Sequence, residues 1–141
     1  MADLFSSCVF CRIVAGTEEA SIVFEDERVV AFLDVLPINP GHTLIVPRRH
    51  GAYLKDMDPE DGGALFQAGM RIGAALRASG IKTEGVNLLL NDGAEAGQRV
   101  FHSHLHVIPR IIGDSMARKF DDVPLRSDLD AVAEKIKAAL A

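Results

Sequence analysis

Residues 102–110, HSHLHVIPR, place three histidines at alternate positions, and this spacing constrains the fold more than any other feature of the chain. An extended strand points successive side chains to opposite faces, so His102, His104 and His106 would share one face while Ser103 projects from the other. Same-face neighbours lie about 6.6 Å apart along a strand, and the outer pair about 13 Å apart. Because zinc–nitrogen distances are about 2 Å, the three rings do not form one metal cage, although two neighbours could share an ion.

A row of imidazoles on one face is typical of phosphoryl chemistry. A neutral imidazole can attack phosphorus and form a phosphoramidate, which water then hydrolyses. A second imidazole can donate a proton or a hydrogen bond to a phosphate oxygen near neutral pH. His104 is flanked on both sides, and we therefore expect it to be the nucleophile.

The remaining pattern predicts an α+β fold built on an antiparallel sheet. Strands are predicted over residues 21–24, 29–33, 43–47, 86–91 and 100–110. Asp58 is the expected N-cap of a long helix, in which Pro59 takes the first position and which Gly80 ends. A C-terminal helix is predicted from Ser127. Strand pairs joined by turns, without alternating βαβ units, favour an antiparallel sheet.

Length and charge restrict the class of protein further. A chain of 141 residues is one domain with room for a core. Its net charge of −5 argues against a nucleic-acid-binding surface. No apolar run approaches the roughly 20 residues that span a membrane, and the N-terminus lacks the features of a secretory signal. Two cysteines do not make a disulfide framework, so we expect a reducing, cytoplasmic location.

The stretch CVFC, residues 8–11, has the spacing of half a zinc site. A redox motif is disfavoured because no strand precedes the two cysteines and the residues between them are bulky and apolar. Two further zinc ligands would have to be histidines, since the chain has no other cysteine. The alternative is that Cys8 and Cys11 are two unligated, partly buried thiols.

Three segments together resemble the histidine triad (HIT) superfamily, and in particular its Hint-like bacterial branch with a Cys-x-x-Cys zinc site. They are the alternating histidines, AFLDVLPINPGHTLIVPRRH (31–50) and NDGAEAGQRVFHSHLHVIPR (91–110). The resemblance implies a HIT domain over residues 1–112. Residues 113–141 would be a C-terminal extension of the same globular unit, ending in an amphipathic helix.

The resemblance also implies the fold and the activity. The expected fold is a five-stranded antiparallel sheet with a long helix and a C-terminal helix, assembled as a homodimer with a continuous sheet. The expected activity is binding of a purine nucleotide and cleavage at the α-phosphate of nucleoside phosphoramidates or related conjugates. This cleavage would pass through a nucleotidyl-histidine intermediate, with no nucleic acid or membrane as partner.

The positions of the family motifs imply the roles of individual residues. His104 matches the nucleophile, His106 the residue that contacts phosphate and assists the leaving group, and His42 a further active-site histidine. Gln98 matches a phosphate-loop glutamine of the catalytic group, and Asp34 the carboxylate that holds the ribose hydroxyls. The implied nucleotide-binding residues are Phe10, Ile13, Phe32, Asp34, Asn91, Gly97, Gln98, Arg99, His104 and His106.

The resemblance completes the zinc site as well. Zinc-carrying bacterial members of the family add two histidines, which match His50 and His102, to the cysteines that match Cys8 and Cys11. The resulting Cys₂His₂ site would be structural, and catalysis would need no metal.

Three other functions fit the same residues. The first is a dinucleoside polyphosphate hydrolase, as in the Fhit branch. The second is a nucleotide-binding regulatory protein whose hydrolysis is incidental. The third is a hydrolase in which His42, His104 and His106 hold a zinc-bound water.

Overall fold

The computed structural model describes residues 6–141, which form one five-stranded antiparallel sheet with helices on both faces. The strand order is β1-β2-β3-β5-β4, and every neighbouring pair is antiparallel. The predicted α+β class is therefore confirmed. The strands are β1 (Ile22–Glu25), β2 (Val29–Leu33), β3 (Thr43–Pro47), β4 (Gly85–Leu90) and β5 (Leu105–Arg110).

Three α-helices accompany the sheet: α1 (Val9–Ala15), α2 (Pro59–Ala78) and α3 (Arg126–Leu140). The helix α2 begins as predicted, because the Asp58 carboxylate accepts a hydrogen bond from the Glu60 amide at 2.9 Å. No helix in residues 6–141 combines the length and the apolar character needed to span a membrane.

The last strand begins later than the alternation predicts. β5 starts at Leu105 rather than at Val100, so His102 and His104 precede the ladder. The ladder to β3 ends where Ile45 faces Leu105. Before that point the Ser103 amide donates to the carbonyl of Gly51 at 2.8 Å, in a loop outside the sheet.

One face of the sheet is covered by α2 and α3 and holds the larger core. Val29, Ala31 and Leu33 of β2 point to this face, and Ile136 of α3 joins the same cluster. The other face packs against α1. There Val30 and Phe32 of β2 contact the apolar side of the short helix. Both faces of β2 are thus covered, which explains its continuous apolar sequence.

Candidate active site and metal centre

A cavity of about 630 Å³ opens on the α1 face of the sheet, beside the histidines. This volume is in the range of small-molecule sites in proteins. All but one of the residues implied for catalysis and nucleotide binding line it: Phe10, Ile13, Phe32, Asp34, His42, Asn91, Gly97, Arg99, His104 and His106.

His104 presents an unprotonated ring nitrogen to this cavity. Its Nδ1 lies 2.8 Å from the carbonyl oxygen of His102. Because a carbonyl can only accept, Nδ1 carries the proton and Nε2 keeps its lone pair. Burial lowers the pKa of the His104 imidazole, which favours the neutral ring. The rings of Phe10 and His104 pack edge to face, with centroids 5.0 Å apart.

His42 and His106 are hydrogen-bonded to each other, and both carry their proton on Nε2, whereas His104 carries its proton on Nδ1. The Ile38 amide donates to His42 Nδ1 at 3.0 Å, so the proton of neutral His42 is on Nε2. His42 Nε2 then donates to His106 Nδ1 at 3.0 Å, which leaves the proton of His106 on Nε2. Burial lowers the pKa of His42 to about 4 and that of His106 to about 3, so both rings are neutral.

Two neighbouring rings therefore offer opposite groups to a ligand. His104 offers a lone pair and His106 an N–H donor, and their centroids are 4.9 Å apart. Backbone groups of His102 and Ile38 determine both tautomers. This pairing of a nucleophile with a hydrogen-bond donor suits attack on a phosphorus atom whose oxygens are negatively charged.

A metal ion in the catalytic cluster is disfavoured by the same hydrogen bonds. Potential ligand atoms of Asp34, His42 and His106 lie within 4.8 Å of one another. However, His42 uses its Nδ1 lone pair to accept from Ile38 and its Nε2 proton to donate to His106. A metal on His42 would require an imidazolate or the loss of the Ile38 hydrogen bond.

Asp34 lies beside His42 in the cavity, with its Oδ2 atom 3.5 Å from His42 Nε2, and is only 7% exposed. Its Oδ1 accepts from the Leu36 amide at 2.9 Å, and its Oδ2 accepts from Arg118 at 2.9 Å. Phe10 and Phe32 lie edge to face nearby, with centroids 5.3 Å apart, and form an apolar wall.

Gln98 is the one implied catalytic residue that the structure does not place on the cavity wall. Its side-chain oxygen accepts from the Gly93 amide at 2.7 Å. Its Nε2 donates to the carbonyls of Ala52 at 2.6 Å and Val100 at 3.1 Å. Both amide protons are therefore used within the protein, and Gln98 holds the loop rather than pointing at a ligand. Gly97, with φ of 102°, turns this loop toward the cavity.

The predicted zinc ligands form a compact cluster at the start of α1. A tetrahedral zinc ion places two nitrogen ligands about 3.3 Å apart and a sulfur and a nitrogen about 3.6 Å apart. The Nδ1 atoms of His50 and His102 are 3.2 Å apart. His102 Nδ1 lies 3.5 Å from Cys8 Sγ and 3.6 Å from Cys11 Sγ, and His50 Nδ1 lies 3.3 Å from Cys11 Sγ. These separations fit a single tetrahedral ion.

The surroundings of His102 also fit a metal ligand. Its Nε2 lies 2.8 Å from the carbonyl of Pro47, so Nε2 carries the proton and Nδ1 presents a lone pair to the cysteines. A backbone carbonyl in this position is the usual partner of a metal-binding histidine. Burial lowers the pKa of His102 to about 4, which favours the neutral ring that metals require.

Several cavity residues were missed by the sequence analysis, and Arg118 is the one that pairs with Asp34. Arg118 lies in the irregular segment between β5 and α3, yet its guanidinium reaches Asp34, 84 residues earlier. A charged side chain in an irregular stretch carries no periodic signal. Only the packing of the extension against the domain brings the two residues together.

Comparison with known proteins gives a consistent result. Residues 15–112 match the family model described as the HIT domain. An uncharacterized HIT-like protein of Methanocaldococcus jannaschii is 43% identical over 131 residues, which cover 92% of this chain and 98% of that relative.

Two solved structures are similar over nearly the whole chain. A Zn-bound histidine triad family protein from Mycobacterium smegmatis has a TM-score of 0.84 and 41% identity, covering 95% of this chain and 93% of that one. A hypothetical histidine triad nucleotide-binding protein from Sulfolobus tokodaii has a TM-score of 0.83 and 29% identity, with coverage of 94% and 91%.

Proposed function

This chain belongs to the HIT family, and we propose that it is a nucleotide-binding hydrolase acting at the α-phosphate of purine nucleoside phosphoramidates or related conjugates. The observation that carries the proposal is the opposite protonation of two adjacent rings. His104 Nε2 has a free lone pair and His106 Nε2 a proton, and both rings line one cavity.

The cavity provides separate contacts for the parts of a nucleotide. Phe10 and Phe32 offer aromatic surfaces to the base. Asp34 retains acceptor capacity for the two ribose hydroxyls. The α-phosphate then lies against the histidines, where Arg99 lines the cavity and can contact the phosphate or the leaving group.

In the first step, His104 Nε2 attacks the α-phosphorus. A phosphorus–nitrogen bond forms to His104 while the bond from phosphorus to the leaving amine breaks. The carbonyl of His102 accepts a hydrogen bond from Nδ1–H and stabilises the positive charge that develops on the ring. His106 donates a hydrogen bond to a phosphate oxygen, and the phosphate anion favours the charged form of this ring. A proton taken up from solvent by His106 therefore passes to the leaving amine.

In the second step, water attacks the nucleotidyl-histidine. The bond from phosphorus to His104 breaks, and the water proton passes to His106 and from there to solvent, which balances the proton taken up in the first step. The products are a nucleoside monophosphate and the starting imidazoles. No metal takes part in either step.

The zinc site has a structural role in this proposal. Two cysteines and two histidines fill a tetrahedral ion completely, so no position remains for a reactive water. The cluster fixes the start of α1, which carries Phe10, and lies next to the backbone carbonyl that orients His104. Zinc therefore stabilises the wall of the cavity rather than the transition state.

The substrate class is tested by comparing adenosine 5′-phosphoramidate with a diadenosine polyphosphate. We expect kcat/KM to be at least about tenfold higher for the phosphoramidate, because the cavity lining offers one aromatic wall and one ribose-binding carboxylate, and so one set of nucleoside contacts. The reverse preference would favour the dinucleoside polyphosphate hydrolase. Nucleotide binding without turnover of either compound would favour the regulatory protein.

We also propose that two copies of the chain form a homodimer through α2 and β4. Within residues 6–141, β4 pairs on one side only, with β5. Phe66 and Met70 lie one turn apart on the neighbouring helix and are 55% and 61% exposed. We propose that these side chains and the free strand edge together form the interface, because protein interfaces cover exposed apolar side chains and unpaired strand edges.

Replacement of both side chains tests this interface. We expect Phe66→Asp/Met70→Asp to elute as a monomer in light-scattering chromatography, whereas the wild type elutes as a dimer, because paired carboxylates oppose burial of the surface. Val123→Asp is a matched control, since Val123 is 52% exposed but lies in the C-terminal segment. Equal masses for the wild type and the double variant would contradict the proposed interface.

A further inference from the structure

Residues 113–125 link β5 to α3, and we call them the C-terminal strap. At its start, Arg110 donates twice to the Asp114 carboxylate at 2.7 Å, and Asn39 donates to the same carboxylate at 2.7 Å. At its end, Arg126 donates to Glu19 at 2.8 Å and to the Ser21 hydroxyl at 2.7 Å.

Between these attachments the strap forms part of the cavity wall. Met116, Ala117, Arg118 and Phe120 all line the cavity. The strap therefore lies where it can contact a nucleotide in this cavity, although it follows the residues that match the HIT domain.

Arg118 makes the polar contacts of the strap with the ribose end of the cavity. Its Nη1 donates to Asp34 Oδ2 at 2.9 Å and also to the carbonyl of Leu36. The ion pair is well shielded, because the Arg118 side chain is 20% exposed and that of Asp34 is 8% exposed. Charge-assisted bonds of this kind are among the stronger hydrogen bonds in proteins.

The loop that Arg118 holds carries two parts of the site. Leu36 donates its amide to Asp34 Oδ1, and Ile38 donates its amide to His42 Nδ1. Asp34 and the hydrogen bond that determines the His42 tautomer are therefore on the same short segment. The hydrogen bond from Arg118 to the Leu36 carbonyl therefore restricts the position of Asp34 and of the Ile38 amide that bonds to His42.

The acceptor count of Asp34 shows what this arrangement allows. An ionised carboxylate has about four acceptor positions. Leu36 uses one position on Oδ1 and Arg118 uses one on Oδ2. His42 Nε2 lies 3.5 Å from Oδ2 but donates its proton to His106 at 3.0 Å. One position on each carboxylate oxygen therefore remains, which is what two adjacent hydroxyls require.

We propose that Arg118 is a positioning residue for ribose recognition, holding the Asp34 carboxylate in the orientation that accepts a 2′,3′-diol. This inference rests on the proposed function, and it assigns to the extension a part in selecting ribonucleotides over 2′-deoxyribonucleotides. The opposite role would be a competitor that occupies Asp34 until the ribose displaces it.

Kinetics with adenosine 5′-phosphoramidate and its 2′-deoxy analogue test the role of Arg118. For Arg118→Met we expect KM for the ribose substrate to rise about tenfold while kcat changes less than about threefold, because the lost bond acts on binding. The deoxy substrate should change little, so that discrimination between the two decreases. Arg118→Lys should restore part of the discrimination between the ribose and deoxy substrates. Lys119→Met removes a positive charge from an exposed neighbouring residue and should match the wild type.

Three results would overturn the proposal. A lower KM in Arg118→Met would identify Arg118 as a competitor. An unchanged KM, or an equal loss for the ribose and deoxy substrates, would leave Arg118 with a structural role only.

A measurement without nucleotide separates this proposal from the proposed function. Amide hydrogen exchange at Leu36 and Ile38 should be faster in Arg118→Met and unchanged in Lys119→Met, because the contact that fixes the loop is lost. If the wild type cleaves neither substrate, the proposed function fails, while this exchange still shows whether Arg118 fixes the loop. Unchanged exchange in Arg118→Met would show that Arg118 does not fix this loop, and would contradict the inference.

Discussion

His104→Asn is expected to remove turnover of adenosine 5′-phosphoramidate, with kcat lower by about four to six orders of magnitude. Asparagine keeps an N–H that can donate to the His102 carbonyl, as His104 Nδ1 does at 2.8 Å. It has no nitrogen in the position of Nε2, so the bond to phosphorus cannot form. The substitution therefore removes the nucleophile and preserves its anchor.

Two measurements separate lost chemistry from a lost fold. The affinity for AMP, measured by calorimetry, should stay within about threefold of the wild type, because His104 contributes mainly to the transition state. Mass spectrometry of rapidly quenched wild-type reactions should detect a nucleotide attached to His104. Substantial turnover by the variant, or wild-type turnover without an adduct even with a slow substrate, would contradict the mechanism.

The parts of the fold that follow from local patterns were predictable from the sequence. The strands β2 and β3 have the predicted bounds because each is a short apolar run that is buried on both faces. The start of α2 is also local, since Asp58 and Pro59 together determine where the first turn begins. Such signals need no knowledge of distant residues.

Other parts depend on contacts that a linear pattern does not contain. α1 has seven residues, too few for a periodic signal, and its start relies on the Cys8 thiol accepting from the Cys11 amide. The alternation of histidines predicted a ladder from Val100. However, His102 turns toward the cysteines, and β5 begins only at Leu105.

The candidate site, like the fold, has parts that local sequence patterns predict and parts that depend on distant contacts. The alternating histidines and the Cys-x-x-Cys spacing carry their chemistry in the residue types themselves, and each set lies together in the structure. The pairing of Asp34 with Arg118 and the inward turn of Gln98 depend on tertiary packing. The sequence around residues 98 and 118 contains no pattern that distinguishes these side chains from solvent-exposed ones.

The zinc site should contribute the largest single effect on stability, and His50→Gln is the sharpest test of it. His50 is exposed, and replacing an exposed side chain usually changes the free energy of unfolding by less than about 0.5 kcal/mol. If His50 is a metal ligand, its replacement should instead lower the free energy of unfolding by about 3 kcal/mol or more. The reason is that zinc binds the folded chain, whereas the unfolded chain has no preformed site for it. Arg49→Gln, at the exposed neighbouring residue, should stay close to the wild type.

Metal analysis and thermal unfolding decide this prediction. The wild type should contain about one zinc per chain, and the midpoint of unfolding should fall by about 10 °C on chelation or in His50→Gln. If the wild type is purified without zinc, or if His50→Gln and Arg49→Gln have the same midpoint of unfolding, the cluster does not hold the ion.

Exchange of the metal then distinguishes a structural ion from a catalytic one. The proposed ion touches the reaction only through protein atoms: the His102 carbonyl that orients His104 and the α1 helix that carries Phe10. Cadmium accepts the same sulfur and nitrogen ligands, so we expect the cadmium-loaded protein to keep kcat within about threefold of the zinc form. A zinc-bound water acting as the nucleophile would make kcat depend strongly on the identity of the metal, since the pKa of that water differs between metals.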